Sequence, residues 1–330
     1  MNEKLFRAFL SSRGFSNENV EKQVSVIQQL EKDLNDYVPV WTFNDLNPSS
    51  VLSLVENLID RELNSSDNMY TLLRYAKAIG NKPMFNTVFE MLDGCEVMDN
   101  LFHRLGERVG DELRDTIYEE LPLPPLGLSK KEKACYTYRI MQRMEEIFGE
   151  NFCKDLLSES LRDLIDSNYT DEKTDFYEAC NGDIDQYLIF RGKKFLNLLI
   201  EYQHRGDVFF GQEINNDVID FVKSNPEIGG GIRDGDFVYE TKLPYNTAAY
   251  LEEKDPVLKR YHYCHCPWVK ESIRNENMRI SDTFCLCSAG FHKKPFEIIF
   301  DQKLNGEVLQ SVLKGDPVCR FRISLPNNDK

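Results

Sequence analysis

"EVLQSVLKGDPVCRFRISL", residues 307–325, is the stretch that decides the fold class of this chain. Two segments rich in apolar residues flank Lys314–Pro317, where glycine followed by aspartate is typical of the turn in a hairpin. Successive side chains of a strand point to opposite sides, so Cys319, Phe321 and Ile323 share one face. The pattern predicts a β-hairpin near the C-terminus, with Cys319 facing the core or a site.

A second strand is predicted upstream of the hairpin, in "DFVYETK", residues 236–242. Phe237, Tyr239 and Thr241 alternate there with Val238, Glu240 and Lys242, which is the period of two expected of a strand. The preceding "EIGGGIRDG", residues 227–235, lacks the Gly-Lys-Ser/Thr ending of a phosphate-binding loop. We therefore interpret it as a glycine-rich turn between elements.

The N-terminal part carries the period of a helix instead. One apolar stripe recurs at spacings of three and four: Val20, Val24, Ile27 and Leu30. Pro48 marks the start of another helix, and helical patterns continue to "HRGD", residues 204–207, where Gly206 is the predicted cap. The three prolines of "LPLPPLG", residues 121–127, cannot continue a helix.

These patterns predict an α+β protein of two domains. Residues 1–122 form an all-α helical domain, and residues 123–330 form a domain of helices and β-hairpins with a cysteine-rich C-terminal part. No apolar stretch reaches the roughly 18–20 residues that cross a bilayer. The N-terminus has no secretory signal pattern, which predicts a cytoplasmic and reducing location. A formal charge of −15 argues against nucleic-acid binding.

The cysteines are the most informative residues for function. Four of the nine form two Cys-x-Cys pairs, in "YHYCHCPW" (residues 261–268) and "FCLCSAGF" (residues 284–291). If both pairs lie in neighbouring strands, four thiolates share one face, which is the ligand set of a structural Zn²⁺ site. The predicted ligands are Cys264, Cys266, Cys285 and Cys287, with Cys319 as a replacement and His262, His265 or His292 as substitutes.

Two alternatives to a zinc site remain open. Buried cysteines often serve as small apolar core residues without further chemistry. A nucleophilic thiol is the other alternative: Cys285 or Cys287 precedes Ser-Ala-Gly, and His265 or His292 could act as a base. The carboxylate that orients such a base would be Glu271 or Glu297. A metal with only three protein ligands would also permit hydrolytic chemistry.

Three C-terminal segments carry a resemblance to known families: "KRYHYCHCPWVKESI" (259–273), "ISDTFCLCSAGFHKKPFEIIF" (280–300) and "VLQSVLKGDPVCRFRISLP" (308–326). Together they resemble an uncharacterised family of bacterial and archaeal cytosolic proteins, over about residues 237–325. The latter part is similar to the L-2-amino-thiazoline-4-carboxylic acid hydrolase-like family. More distantly, the Gly-Asp-x-x-Cys-x-Phe-x-Ile ending is similar to small-molecule-binding domains of the 4-vinyl-reductase type.

The resemblance implies an α+β domain that encloses an apolar small-molecule cavity. Some members of the vinyl-reductase type bind zinc near this hairpin, and only Cys319 matches their ligand pattern here. On this basis we predict a small-molecule-binding, sensor-like protein with cysteine-bound zinc. The predicted pocket residues are Tyr263, Trp268, Phe284 and Phe291. The alternatives are a cysteine- or metal-dependent hydrolase of a small cyclic amide or heterocycle, and an interaction module built on the N-terminal helices.

Overall fold

The computed structural model describes residues 1–37, 43–163 and 169–326. They form two compact units. The N-terminal unit contains Met1–Cys95 together with Pro124–Glu132, and the C-terminal unit contains Glu96–Leu123 together with Lys133–Lys330. The predicted class is confirmed: the chain is α+β, with an all-helical N-terminal part and strands only in the later part of the described residues.

The N-terminal unit is a bundle of helices around one apolar core. Its helices are α1 (Glu3–Ser12), α2 (Asn17–Tyr37), α3 (Pro48–Asp60), α4 (Ser66–Ala78) and α5 (Lys82–Leu92), with a 3-10 turn at Phe43–Asp45. The stripe predicted on α2 is buried, as Val24 and Ile27 show. Helix α3 begins at Pro48 as predicted, because the Asn47 side chain accepts a hydrogen bond from the Ser50 amide.

The division between the units differs from the predicted boundary after residue 122. Helices α6 (Glu96–Val109) and α7 (Asp111–Tyr118) belong to the C-terminal unit, where Leu101 and Ile117 are fully buried in its core. The proline-rich segment after them belongs to the N-terminal unit, because Leu126 packs against that unit's core. Proline marks where helices end, but the apolar faces of α6 and α7 decide which core they join.

The C-terminal unit contains the remaining helices. They are α8 (Lys130–Phe148, whose first turn lies in the N-terminal unit), α9 (Glu150–Leu157), α10 (Thr170–Thr174), α11 (Ile184–Arg205), α12 (Asn216–Lys223), α13 (Thr247–Glu252), α14 (Pro256–Tyr263) and α15 (Leu286–Phe300). A π-helical turn at Asp175–Ala179 and 3-10 turns at Lys270–Arg274 and Asp282–Cys285 complete them. Helix α11 ends at Gly206 in the left-handed conformation, as predicted.

Its strands form two antiparallel sheets. The small one pairs β1 (Val208–Phe209) with β2 (Gln212–Glu213), and the larger one has the order β3 (Ile232–Asp234), β4 (Phe237–Thr241), β6 (Arg320–Ser324), β5 (Gly306–Gln310). The predicted C-terminal hairpin is therefore present as β5 and β6, although nine residues rather than a tight turn connect Gln310 to Arg320. Phe321 and Ile323 are buried on one face, as predicted.

Helix α15 packs on this sheet and replaces the strand predicted around the second cysteine pair. Its buried face includes Ala289, Phe296 and Ile299. Ala289 and Phe296 are seven residues apart, which is two helical turns. None of the described helices is both long and apolar enough to cross a membrane.

Candidate functional site

The two Cys-x-Cys pairs lie at helix ends, not in paired strands, which corrects the predicted local geometry. Cys264 caps the end of α14, and its amide donates to the Arg260 carbonyl oxygen. Cys285 ends a 3-10 turn, and Cys287 lies in the first turn of α15. Residues two apart on a helix point about 200° away from each other. Cys285 and Cys287 therefore do not present their sulfurs to one point.

Five of the thiols nevertheless influence one another, because Cys264 and Cys287 both raise the pKa of Cys266. Burial raises the pKa of Cys285 well above its ordinary value, and the neighbouring Cys319, Cys264 and Cys266 raise it further. Burial likewise raises the pKa of Cys319 to about 12, with Cys264 as the next cause. The tertiary fold thus brings together sulfurs from three separate segments. No disulfide bond joins cysteines of the described residues.

The sulfurs lie deep in the unit but are not sealed from solvent. Burial is the main cause that raises the pKa of Cys266, Cys285 and Cys319, yet each of these residues keeps part of its surface accessible. His265 combines the same two properties: burial lowers its pKa to about 3, and it is only partly covered. We call the place where these partly covered residues lie beside the buried Cys264 the thiol crevice.

Lys242, which follows β4, supplies positive charge beside the thiol crevice. It lowers the pKa of Cys264, Cys266 and Cys319, although burial outweighs it in each case. Its Nζ donates a hydrogen bond to the Ser288 hydroxyl at 2.9 Å. No carboxylate of the described residues lies within salt-bridge distance of this ammonium group. A cation so placed favours the ionised form of nearby thiols.

A buried charge network lies next to Lys242. Glu240 is only 3% exposed on β4, and its carboxylate binds the Arg191 guanidinium of α11 and the Nδ1 atom of His292 on α15, the latter at 2.5 Å. Burial raises the pKa of Glu240, but Arg191 and His292 lower it more, so that it stays below its ordinary value. Burial lowers the pKa of His292 despite the opposing effect of Glu240. The network therefore keeps Glu240 ionised and favours a neutral imidazole.

His292 has one nitrogen without a hydrogen bond. Its Nε2 atom is buried and has no hydrogen-bond partner among the described residues. The ring stacks on Phe321, with 4.4 Å between centroids. His292 lies seven residues after Cys285, a rise of about 10.5 Å along the helix axis. This separation is too long for both residues to bind one metal ion, so His292 cannot substitute in a zinc site that includes Cys285.

The two other histidines predicted as substitutes have partners of their own. Nε2 of His265 lies 2.5 Å from the Leu243 carbonyl oxygen, which leaves Nδ1 as its remaining nitrogen. His262 lies 4.0 Å from Glu253, and burial is the first cause that lowers its pKa. The residue that orients His292 is Glu240, which corrects the predicted Glu297 or Glu271. Glu297 pairs with Lys293 at 3.0 Å, and Glu271 pairs with Arg274 at 2.6 Å.

Cys287 differs from the other four cysteines. Its sulfur accepts a hydrogen bond from the Leu161 amide at 3.1 Å and lies 3.9 Å from the Ser160 hydroxyl. Ser160 is fully buried and adopts a left-handed backbone conformation with φ of 64°. An amide donor beside the first turn of a helix stabilises negative charge on sulfur. Cys287 therefore has the surroundings expected of a reactive thiol.

Of the predicted pocket residues, three are core residues and one is exposed. Tyr263, Trp268 and Phe284 are almost fully buried in the largest core cluster, whereas Phe291 is exposed on α15. An open cleft of about 540 Å³ lies elsewhere in the unit. It is lined by Tyr169, Thr170, Lys173, Lys294, Glu297, Ile298, Asp301, Gln302 and Lys303. The predicted pocket residues do not line this cleft.

The residues of the thiol crevice are of the types that bind zinc, but their side chains do not point to a common centre. Sulfur and imidazole ligands are those that Zn²⁺ prefers in proteins. Within residues 1–37, 43–163 and 169–326, no three His, Cys, Asp or Glu side chains are placed so that they could hold one ion. Ligation would therefore require the cysteine side chains to rotate toward a common point.

The sequence predicted no role for three residues of this site. Glu240 and Lys242 were recognised as strand positions, but no role was predicted for either. A signal was present: Val238 and Glu240 share the face of β4 that is buried, and a carboxylate at a core position of a strand requires a partner. Arg191 gave no signal, because a helical arginine is ordinarily a surface residue.

The comparisons with known proteins cover the C-terminal part of the chain. Residues 211–330 match a family described as a family of unknown function (DUF6144). This range includes Glu240, Lys242, Ser288, His292 and the five cysteines from Cys264 to Cys319. It leaves out Arg191 and residues 158–161, which we call the Ser160 turn. No curated protein and no solved structure matches the chain.

Proposed function

We propose that the C-terminal unit is a small-molecule-binding, sensor-like protein of the cytoplasm whose thiol crevice binds one zinc ion. The ligands in this proposal are Cys264, Cys266, Cys285 and Cys319. The observation that carries it is the proximity of these four cysteines, which come from three segments and lie close enough to affect one another's pKa. Cys319 takes the position first expected of Cys287, whose sulfur faces the Ser160 turn instead.

The electrostatics of the crevice support a cation at its centre. Four neighbouring thiols cannot ionise together in a buried site, because each thiolate repels the others. A bound Zn²⁺ removes this obstacle by replacing the thiol protons with a charge of +2. Four thiolates and one Zn²⁺ still carry a net charge of −2, and Lys242 lies close enough to offset part of it. Rotation about the Cα–Cβ bonds would bring the sulfurs inward.

Zinc titration of the full-length chain against a chromophoric chelator tests this proposal. We expect one zinc per chain and protection of four thiols from a chromogenic disulfide reagent. Serine at Cys264, Cys266, Cys285 or Cys319 should weaken zinc binding more than about 100-fold, since loss of a direct ligand exceeds the 10–100-fold effect of an outer-shell change. The matched control is Cys287→Ser, two residues from a proposed ligand, and it should bind zinc like the wild type.

Either of two results would overturn the zinc site. One is a folded protein that takes up no zinc from the chelator. The other is an equal loss of zinc binding in Cys287→Ser and Cys285→Ser, because the proposed geometry places only one of these sulfurs in the crevice.

A cysteine-dependent hydrolase is the second candidate function, and the surroundings of Cys287 favour it. Its sulfur combines a backbone amide donor with the N-terminal turn of α15. Cys285 is a poorer candidate, because burial raises its pKa and keeps the thiol protonated. Iodoacetamide at neutral pH, with the labelled peptide identified by mass spectrometry, should modify Cys287 first. Even labelling of all nine cysteines, or protection of Cys287, would contradict this candidate.

A role for the N-terminal helices as an interaction module stays a prediction. The unit itself includes Pro124–Glu132, so a truncation at residue 122 would remove part of it. A partner-binding test therefore requires the full chain with substitutions on exposed helix positions.

A further inference from the structure

A row of polar side chains lies between strand β4 and helix α15. Glu240 and Lys242 are two residues apart and share one face of the extended chain, while Ser288 and His292 are one turn apart on one face of the helix. The two pairs meet: Glu240 binds Nδ1 of His292 at 2.5 Å, and Lys242 Nζ donates to Ser288 Oγ at 2.9 Å. Such a match between strand and helix spacing places all four groups side by side.

Two atoms in this row are available for chemistry. Nδ1 of a neutral His292 must donate its hydrogen to the Glu240 carboxylate, which accepts only, so Nε2 carries a lone pair. That atom is buried and has no hydrogen-bond partner among the described residues. The Ser288 oxygen accepts a hydrogen from Lys242, which leaves its own hydroxyl hydrogen to be donated elsewhere. A buried acceptor and a hydroxyl donor therefore occupy adjacent turns.

Helix geometry brings these two atoms toward each other. Residues four apart on a helix have Cβ atoms about 5–6 Å apart. Helical side chains lean toward the N-terminus, so that the His292 ring leans over the turn that holds Ser288. The reaction proposed below requires the serine side chain to rotate until its hydroxyl reaches Nε2. Hydrogen bonds of this kind are often long before a substrate binds.

We propose that Ser288, His292 and Glu240 form a serine–histidine–glutamate triad that hydrolyses a small carboxylic ester or amide. In the first step His292 Nε2 takes the Ser288 proton while Oγ forms a bond to the carbonyl carbon. The bond to the leaving group then breaks, and the imidazolium returns the proton to that group. Water repeats the sequence and releases the acid from Ser288. This hydrolytic activity is separate from the proposed zinc binding, and none of its steps uses a metal ion.

The remaining charged groups have defined parts in this chemistry. Glu240 is a positioning residue that holds the imidazole in one tautomer and stabilises the imidazolium. Arg191 in turn holds the Glu240 carboxylate, to which it is bound from α11. The Lys242 ammonium lies beside the attacking oxygen, where it can stabilise the negative charge that develops on the substrate carbonyl.

A fluorophosphonate probe and p-nitrophenyl acetate test the triad directly, on the full-length protein in excess chelator so that zinc plays no part. We expect the probe to label Ser288, as identified by mass spectrometry, and Ser288→Ala to abolish both labelling and ester hydrolysis. His292→Gln should slow both at least about 100-fold, the lower range of a general base. Ser224→Ala, at an exposed serine just after α12, is the control and should keep the wild-type rates.

The pH dependence separates positioning by Glu240 from a merely structural role. The charged groups that face His292 are Glu240 and Lys242 beside it and Arg191 on α11. The titratable His265 also lies near enough to interact with His292. Glu240 opposes Lys242 and Arg191 by raising the pKa of His292. Glu240→Gln removes that effect, so the acidic limb of the pH–rate profile should move to lower pH as the rate falls. An unchanged limb would contradict the assigned part of Glu240.

Other outcomes would overturn the triad itself. If a natively folded protein, as judged by circular dichroism and thermal unfolding, leaves Ser288 unlabelled, then Nε2 is satisfied by an enclosed water and the triad is rejected. The same conclusion follows if His292→Gln is labelled at the wild-type rate. If Cys287→Ala loses ester hydrolysis while Ser288→Ala keeps it, the nucleophile is the thiol.

Discussion

Replacement of Glu240 by alanine is expected to lower the free energy of unfolding by about 3–5 kcal/mol. The carboxylate is 3% exposed and is the salt-bridge partner of Arg191, whose side chain is only 19% exposed. Its removal leaves a guanidinium without its counter-ion in a place where water cannot fully solvate it. Urea unfolding of both proteins, followed by circular dichroism, measures the difference.

A surface ion pair in the same sheet provides the control. Glu307 on β5 binds Arg322 on β6, and both side chains are at least one-third exposed. Exposed pairs contribute at most about 1 kcal/mol, so Glu307→Ala should change stability little. If Glu240→Ala and Glu307→Ala lower the free energy of unfolding equally, then the Glu240–Arg191 pair does not behave as a buried ion pair.

Acid should reproduce the effect of removing Glu240. Burial raises the pKa of Glu240, but Arg191 and His292 lower it more, so the folded value lies below the unfolded value. The contribution of this group is therefore complete above the unfolded pKa of about 4.3 and is lost as the pH falls below it. The stability of Glu240→Ala should change less than that of the wild type in this range.

Substitution of both charges should recover stability. Glu240→Leu combined with Arg191→Met removes the pair without leaving one charge alone, and such replacements are often neutral or stabilising. The double variant is therefore expected to unfold at a higher urea concentration than Glu240→Ala. If the double variant is less stable than Glu240→Ala, then Arg191 stabilises the fold through contacts other than its ion pair with Glu240.

Gly290→Ala is the second substitution with a large expected effect, a loss of about 3 kcal/mol. A Cβ atom at this position would lie 2.3 Å from the Ser160 amide nitrogen and 2.6 Å from the Ser158 carbonyl oxygen. Both are backbone atoms, which cannot move aside as a flexible side chain can. Helix α15 would have to shift away from the turn that binds the Cys287 sulfur.

Gly192 is the matched control for this substitution. It also lies inside a helix, α11, but a Cβ atom there would come no closer than 3.5 Å to its nearest neighbour. Alanine should therefore fit and stabilise the helix by up to about 1 kcal/mol through its better propensity. Thermal unfolding of the two variants should move in opposite directions. A Gly290→Ala protein as stable as Gly192→Ala would contradict the close approach of α15 to the Ser160 turn.

The elements with a strong local pattern were predictable, and those without one were not. Val24 and Ile27 mark the buried face of α2, and Phe321 marks that of β6, as expected from periods of 3.6 and two. The zinc hypothesis placed Cys285 and Cys287 in a strand, because a Cys-x-Cys pair by itself is too short to distinguish a strand from the start of a helix. The buried positions of α15, such as Ala289 and Phe296, repeat with the helical period only over the full length.

For the candidate site too, the residue types were predictable from the sequence, whereas their spatial arrangement was not. The sequence predicted a role for the paired cysteines, and it offered His265 or His292 as a base for a nucleophilic thiol. It could not show that Cys319 lies near Cys264 or that the Leu161 amide donates to the Cys287 sulfur, because both depend on how distant segments pack. Nor could it pair His292 with Glu240, since 52 residues separate them along the chain.

The sequence by itself determined the α+β class, the helical N-terminal part, the C-terminal hairpin and the set of thiols available for chemistry. These follow from local periodicity and residue type, which act over a few residues. The tertiary structure decided which core α6 and α7 join, which thiols share a crevice and which carboxylate orients His292. Those outcomes depend on contacts between distant segments, where the burial of apolar faces fixes the positions and buried charges must find partners.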